Sequence, residues 1–198
     1  MLAVTILGNN SALPANGRNP TAQVLQTMEE DFLIDCGEGT QMQLSKYKIK
    51  RSRITHIFIS HLHGDHYFGL IGLLTSMSLL NRFQDLHIHA PAPLEQLIKL
   101  QLDFASSQLT YKLYFHTLND KGLIVDTNKI TVESFKVKHR IDCWGFIFRE
   151  KKNPRKIDAE RARIYEVPAA FYNNLQQGED YVNKKGTIVP NEEVTTTA

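Results

Sequence analysis

Cysteine is scarce: there are only two, Cys36 and Cys143, far apart and in no CxxC pair. That excludes a disulfide scaffold and a four-thiolate zinc site. Long apolar runs are missing too, and no stretch approaches the roughly 18 residues that a membrane helix needs. The first apolar run, 2–7, lacks a basic flank and reads as a strand rather than a signal peptide; cytoplasm is the compartment this implies. With Gly 11 and Pro 7 in 198 residues, the chain is neither a flexible linker nor collagen-like. Charge of one sign is also lacking. Lys+Arg 23 against Asp+Glu 21 leave +2, so any affinity for nucleic acid must come from local clusters. What is there, 42% hydrophobic and 22% charged residues, suits a soluble globular protein of one domain, with or without a small appendage.

Patterning along the chain alternates strands and helices. Strands are expected at 2–7, 22–27, 31–35 and 54–60, with a short helix at 41–47. A helix follows from Phe68, with apolar positions at Leu70, Ile71, Leu73, Leu74 and Met77. Then come a strand at 86–90, a helix at 93–102 and strands at 113–117, 122–125, 129–138 and 143–149. From Glu150 the apolar positions thin out. Residues 150–186 read as helical pieces with loops, 187–189 as one last strand, and 192–198 as a frayed end. No internal repeat is evident.

Four potential metal ligands fall within six residues: His61, His63, Asp65 and His66. They follow an apolar strand and precede a helix, which is where open α/β sheets usually bind ligands. Imidazole and carboxylate together suit zinc, or else manganese or iron. His61 and His63, two apart, can aim at one metal from a turn, and Asp65 and His66 can aim at a second. Two such ions would clamp a phosphoryl or acyl centre and activate water at neutral pH. Only eight histidines occur in 198 residues, so three in six positions is not a chance polar loop.

The HxHxDH arrangement resembles the signature of the metallo-β-lactamase superfamily, and its context resembles ribonuclease Z, the tRNA 3′-processing endonuclease. Ser60-His61-Leu62-His63-Gly64-Asp65-His66, followed by Phe68-Gly69-Leu70-Ile71-Gly72-Leu73-Leu74, carries the likeness. Phe32-Leu33-Ile34-Asp35-Cys36-Gly37-Glu38-Gly39-Thr40-Gln41, the loop Pro14–Asn19, and Lys138-His139-Arg140-Ile141-Asp142-Cys143-Trp144-Gly145-Phe146 extend it, in the same order as in the family. The likeness covers about 1–190. It implies an α/β fold, the metallo-β-lactamase-type αβ/βα sandwich, here mainly its N-terminal half. Segments 1–149, 150–186 and 187–198 would then be that half, a basic arm-like insertion that grips tRNA, and the start of a truncated second half.

By the same resemblance, His61, His63 and His139 would hold one zinc, while Asp65 and His66 would help to hold another. Asp65 would also serve in proton transfer when metal-activated water attacks the phosphodiester. Asp35 reads either as the acceptor that orients a ligand imidazole or as a strand-end residue capping a turn. The family also uses a bridging aspartate in a Gly-Asp-Thr strand end and a later histidine. This sequence has no histidine after His139 and no Gly-Asp-Thr. The expectation is therefore one firmly held zinc where the family has two, and a catalytically incomplete chain whose bare sheet face favours a homodimer.

Candidate RNA contacts are the basic clusters. Residues 46–53 hold five cations and no acid, and read either as a solvated helix end or as phosphate ligands, with Lys48, Lys50 and Arg51 foremost. Residues 149–163 hold seven basic and three acidic residues, among them Lys151, Lys152 and Arg155. Arg18 and Asn19, in the loop expected near the site, complete the set. Such contacts give affinity without sequence readout and weaken with salt. The implied substrate is a tRNA precursor. The alternatives are another hydrolase on the same fold (thioesterase, lactamase or small phosphodiesterase) and a non-catalytic RNA-binding remnant. His56, His87, His89 and His116 read as ordinary hydrogen-bonded or surface histidines.

Overall fold

A computed structural model describes residues 2–13, 15–151 and 154–197. They divide into two compact units, Met1–Glu150 and Lys151–Ala198.

In the first unit the N-terminal strands β1 (Ala3–Gly8), β2 (Ala22–Gln26) and β3 (Asp31–Ile34) form an antiparallel meander. A helix, α1 (Thr40–Lys46), then carries the chain over to β4 (Ile54–Phe58), which pairs parallel to β3. Two helices follow, α2 (Gly64–Tyr67) and α3 (Leu70–Leu79), then β5 (Leu86–Ala90), α4 (Pro93–Phe104) and β6 (Leu113–Thr117). The six strands lie in sequence order, β1 to β6, and β4, β5 and β6 run parallel. Strands β7 (Gly122–Asp126), β8 (Ile130–Val137) and β9 (Cys143–Glu150) form a second, antiparallel sheet.

Both faces of the large sheet are covered, which is why its central strands are apolar on both sides. On the outer face Leu33, Ile57 and Ile88 meet a buried helical stripe, Leu70, Leu73, Leu74 and Met77, at the spacing that puts residues on one helix face. On the inner face Phe32 and Phe58 pack against Val125, Ile130 and Val132 of the small sheet. Two differences from the sequence expectation lie beside the chemical motif. Strand β3 stops at Ile34 because Asp35 turns to a positive φ of 55°. The helix expected from Phe68 starts only at Leu70, and a separate short helix, α2, precedes it within the motif.

The inner face carries a lateral ladder of rings. Registers align Phe32, His56, His87 and Tyr114 in one row, and Phe58, His89 and His116 in the next. Neighbouring rings stack, at 4.9 Å for His56–His87, 4.6 Å for His89–His116 and 4.7 Å for Phe58–His89. Between rows, His56 Nδ1 lies 3.0 Å from His89 Nε2 and His87 Nδ1 2.9 Å from His116 Nε2. The four histidines are thus hydrogen-bonded in two pairs, as the sequence suggested for ordinary histidines.

The second unit, described by itself, contains β10 (Lys156–Ile157), α5 (Ala159–Ile164), α6 (Tyr172–Gln177), β11 (Tyr181–Val182), β12 (Ile188–Val189), α7 (Asn191–Val194) and β13 (Thr195–Thr196). Ala162, Val167, Leu175, Val189 and Val194 form its core. The stretch expected to fray is instead tied down. Thr195 and Thr196 pair with Ile157 and Lys156, and Asn191 Nδ2 donates to the Leu175 and Glu179 carbonyls at 2.8 and 2.9 Å.

The ring ladder makes stability acid-sensitive. Burial, then the neighbouring imidazoles, pushes His56 down to about 4 and His89 down to about 2, against 6.5 for a free imidazole. Below pH 6.5 the unfolded chain takes up protons that the folded face refuses, so stability falls as pH drops from there. For the buried His89 the loss is about 1.4 kcal/mol per pH unit. Urea midpoints between neutral pH and about pH 5 will show the decline. His89→Phe, which keeps a ring between Phe58 and His116, will show a shallower one.

Candidate metal centre

The site forms where β3 and β4 end side by side. The Asp35 amide donates to the Phe58 carbonyl at 2.8 Å, extending the parallel ladder by one rung. The chains then clasp: Cys36 N–H donates to His66 O at 2.7 Å and Gly69 N–H to Cys36 O at 2.9 Å. Side chains have no room in this clasp. A Cβ on Gly69 would sit 2.1 Å from Gly37 O, and one on Gly37 2.4 Å from Asp65 O. This explains the helix break that the sequence pattern did not reveal.

From the opposite side, Trp144 N–H donates to the Ser60 carbonyl at 2.9 Å and seats β9 at the end of β4. The turn between β8 and β9, pinned by Lys136 Nζ and Asp142 Oδ1 at 2.8 Å, thereby brings His139 over the motif. His61, His63 and His139 each offer a ring nitrogen, and these atoms lie within 4.8 Å of one another. His61 Nε2 is 3.0 Å from His63 Nδ1, and His139 Nε2 is 3.3 Å from the same atom. The rings stand nearly perpendicular, at 79° for His61–His63 and 73° for His63–His139, so their edges converge. Burial, followed by repulsion from His66 and His63, holds His61 down to about 4. It is neutral at pH 7 and offers a lone pair. Three imidazoles around one point can hold a divalent metal ion.

Asp65 and His66 lie next to this trio and not within it. His66 Nε2 is 3.6 Å from Asp65 Oδ2, and the His61 and His66 ring centroids are 3.9 Å apart. Behind them, His66 Nδ1 is 2.8 Å from Asp35 Oδ2, so Asp35 touches an imidazole of the motif in addition to bending the chain. A cavity of about 610 Å³ opens over these groups, lined also by Ser11, Pro20, Glu38, Phe68 and Arg140. Cys143 Sγ lies 3.7 Å from His61 Nδ1, and burial raises the Cys143 thiol. Burial pushes Cys36 up to about 12.

The candidate RNA-contacting residues of the first unit sit on other segments than the trio. The loop bearing Arg18 and Asn19 flanks the cavity through Pro20, with Arg18 itself exposed. Lys48 and Lys50 are exposed, whereas Arg51 donates to Gln41 O at 2.8 Å and to Ser45 Oγ, at the end of α1. In the second unit Arg155 Nε donates to Thr195 Oγ1 at 2.6 Å. Lys151 is half-buried, and Lys152 lies outside the described residues. Sequence reasoning assigned no role to Ser60, Glu38, Phe68 or Arg140. Their only signal was membership of the quoted motifs; Glu38, Phe68 and Arg140 line a cavity that distant segments assemble.

With this geometry in view, comparison with known proteins places the chain. A family model described as "Anti-Pycsar protein Apyc1" matches residues 2–153. The chain belongs to that family. It is similar to ribonuclease Z proteins, and its fold is that of the metallo-β-lactamases. A ribonuclease Z from Bacteroides thetaiotaomicron is 45% identical over 192 residues, 96% of this chain and 61% of that protein. The crystal structure of human tRNase Z, short form, superimposes with a TM-score of 0.70 at 36% identity, covering 76% of this chain and 65% of that one. The metallo-β-lactamase fold protein YhfI from Bacillus subtilis shares the fold, with a TM-score of 0.60 at 21% identity over 75% of this chain and 57% of that one. The chain thus spans just over three-fifths of the length of the curated relative it matches.

The clasp yields a test. Gly69→Ala will cost about 1–3 kcal/mol by overpacking and will lower metal affinity with it. Gly72→Ala, whose Cβ meets only the Gln41 side chain at 3.5 Å, will be neutral or stabilising. Denaturant midpoints and metal titration of both variants check this.

Proposed function

We propose that this chain is the metal-bearing part of a zinc-dependent endoribonuclease that removes the 3′ trailer of tRNA precursors. The observation that carries the reading is the trio His61, His63 and His139, drawn from two distant segments onto one point. The ribonuclease Z relatives and the human tRNase Z neighbour support the choice of reaction. His61, His63 and His139 would hold one zinc, and Asp65 and His66 would contribute to a second. Bound there, zinc supplies Lewis acidity to water and charge neutralisation to a phosphoryl group. The chain's own part is to orient and to move protons. Asp65, at the cavity wall, takes the proton from the attacking water, and the cavity holds the scissile phosphate.

In this reading the first unit supplies the centre and the basic 150–186 stretch contacts RNA as an arm, with residues from 187 opening the family's next segment. Exposed Lys48, Lys50 and Arg18 serve as phosphate ligands, together with Lys151 and Lys152, whereas Arg51 and Arg155 also brace their own units. The free thiols Cys36 and Cys143 suit a reducing cytoplasm. Exposed Leu79, Phe83 and Phe104 suit burial against a second copy of the chain, which light scattering would report. Among the described residues no helix is long and apolar enough to cross a membrane.

Metal analysis of the purified chain will find one tightly held zinc, because Asp65 and His66 are too few ligands for a second. His139→Ala will abolish tight binding. Filter binding will show affinity for a tRNA precursor that falls steeply with salt, and cleavage by the chain alone will be weak. Two tightly held zincs with robust turnover would overturn the one-metal reading. Turnover of thioester or β-lactam substrates instead would overturn the choice of reaction.

A further inference from the structure

Ser60 stands at the junction of both ligand groups. Its backbone is held from two sides: the amide donates to Asp35 Oδ1 at 2.8 Å, and the carbonyl accepts from Trp144 N–H at 2.9 Å. Its Oγ consequently has a fixed place, 3.0 Å from Asp35 Oδ2, 3.0 Å from His61 Nδ1 and 3.2 Å from His66 Nδ1. One hydroxyl thus touches an imidazole of the trio and the imidazole that neighbours Asp65.

Proton counting settles what this hydroxyl does. A serine carries one donor hydrogen and two acceptor lone pairs, whereas a carboxylate only accepts. Hydrogen bonds to a charged oxygen are the stronger ones, so the hydroxyl proton goes to Asp35 Oδ2. Oγ is then an acceptor towards His61, whose proton must sit on Nδ1. His66 Nδ1, 2.8 Å from Asp35 Oδ2, likewise carries its proton there. His61 is left with a bare Nε2 atom. It faces His63 Nδ1 at 3.0 Å, whereas His66 Nε2 faces the Asp65 carboxylate at 3.6 Å. In the other tautomer His61 would push an N–H into the trio and deny a cation one of its ligands.

We propose that Ser60 is a positioning residue: its hydroxyl, bridging Asp35 and His61, fixes the Nδ1–H tautomer of His61, so that this ring presents Nε2 to the trio. The inference rests on the metal-centre reading above, but the tautomer itself can be read in the metal-free protein.

The experiment uses the full chain with ¹⁵N-labelled histidine, at mildly alkaline pH and without metal. Long-range ¹H–¹⁵N correlations will place the proton of both His61 and His66 on Nδ1. Thr and Val at position 60 are isosteric, so they separate the hydroxyl from its packing, and thermal unfolding confirms that both fold. Ser60→Thr will keep the Nδ1–H form of His61. Ser60→Val will convert His61 to a mixture or to Nε2–H, while His66, still bonded to Asp35, keeps its form. Zinc affinity, measured by competition with a chromogenic chelator, will fall roughly 10–100-fold in Ser60→Val and return in Ser60→Thr. An unchanged His61 tautomer in a folded Ser60→Val chain overturns the proposal, whatever the zinc affinity. A parent chain with the expected tautomers that binds no zinc overturns the metal-centre reading and leaves the role of Ser60 standing.

Discussion

The clasp between residues 35–37 and 66–69 is the constraint on which the site depends. Two parallel strands end together, and the loops beyond them would ordinarily diverge and move. Here the loops are bonded backbone to backbone, Cys36 N–H to His66 O and Cys36 O to Gly69 N–H. The contact is close enough that Gly37 and Gly69 cannot bear a side chain without displacing the opposite backbone. The HxHxDH segment is thereby a rigid extension of the sheet rather than a loop. Sites braced in this way hold their ligands more precisely than sites on free loops. The Asp35 bend, the helix break after Phe68 and the stacking of α3 on the sheet are all consequences of bringing those two glycines together.

Legibility in the sequence followed the range of the interactions. Strand β4 and the ligand cluster behind it were plain because apolar patterning and motif spacing are local. So was the apolar stripe of α3. The break before Leu70 was not, because it arises from Gly37, some thirty residues away, and nothing near Gly69 announces a partner. The packing of 187–197 was missed for a similar reason: Val194 and Thr195 are isolated among polar residues, and Val194 is buried only by the unit's distant core residues while Thr195 pairs with Ile157. Basic residues were the least legible. Composition marks Arg51 and Arg155 as surface cations, yet each donates to a neighbouring segment of its own unit. A charge count cannot separate a brace from a phosphate ligand, since the same guanidinium does both.

The sharpest lesson lies in the two sets of histidines, identical in chemistry and opposite in arrangement. In the ladder on the inner sheet face the rings are held nearly parallel by strand register, with interplanar angles of 13–27° among His56, His87, His89 and His116 and their aromatic neighbours. Parallel rings lay their nitrogens side by side, so the imidazoles pair through one nitrogen each, and among the described residues no third ligand atom converges with them. Around the candidate metal centre the residues come from a loop and a distant turn, free of strand register, and their rings stand at 73–79°. Perpendicular rings point their edges inwards, and three ring nitrogens meet. Burial keeps members of both sets neutral, but neutrality alone makes a stacked wall in one place and a ligand set in the other. What distinguishes them is whether the backbone delivering each ring obeys the sheet or has just escaped it, and His61, three residues beyond the end of β4, is where that escape begins.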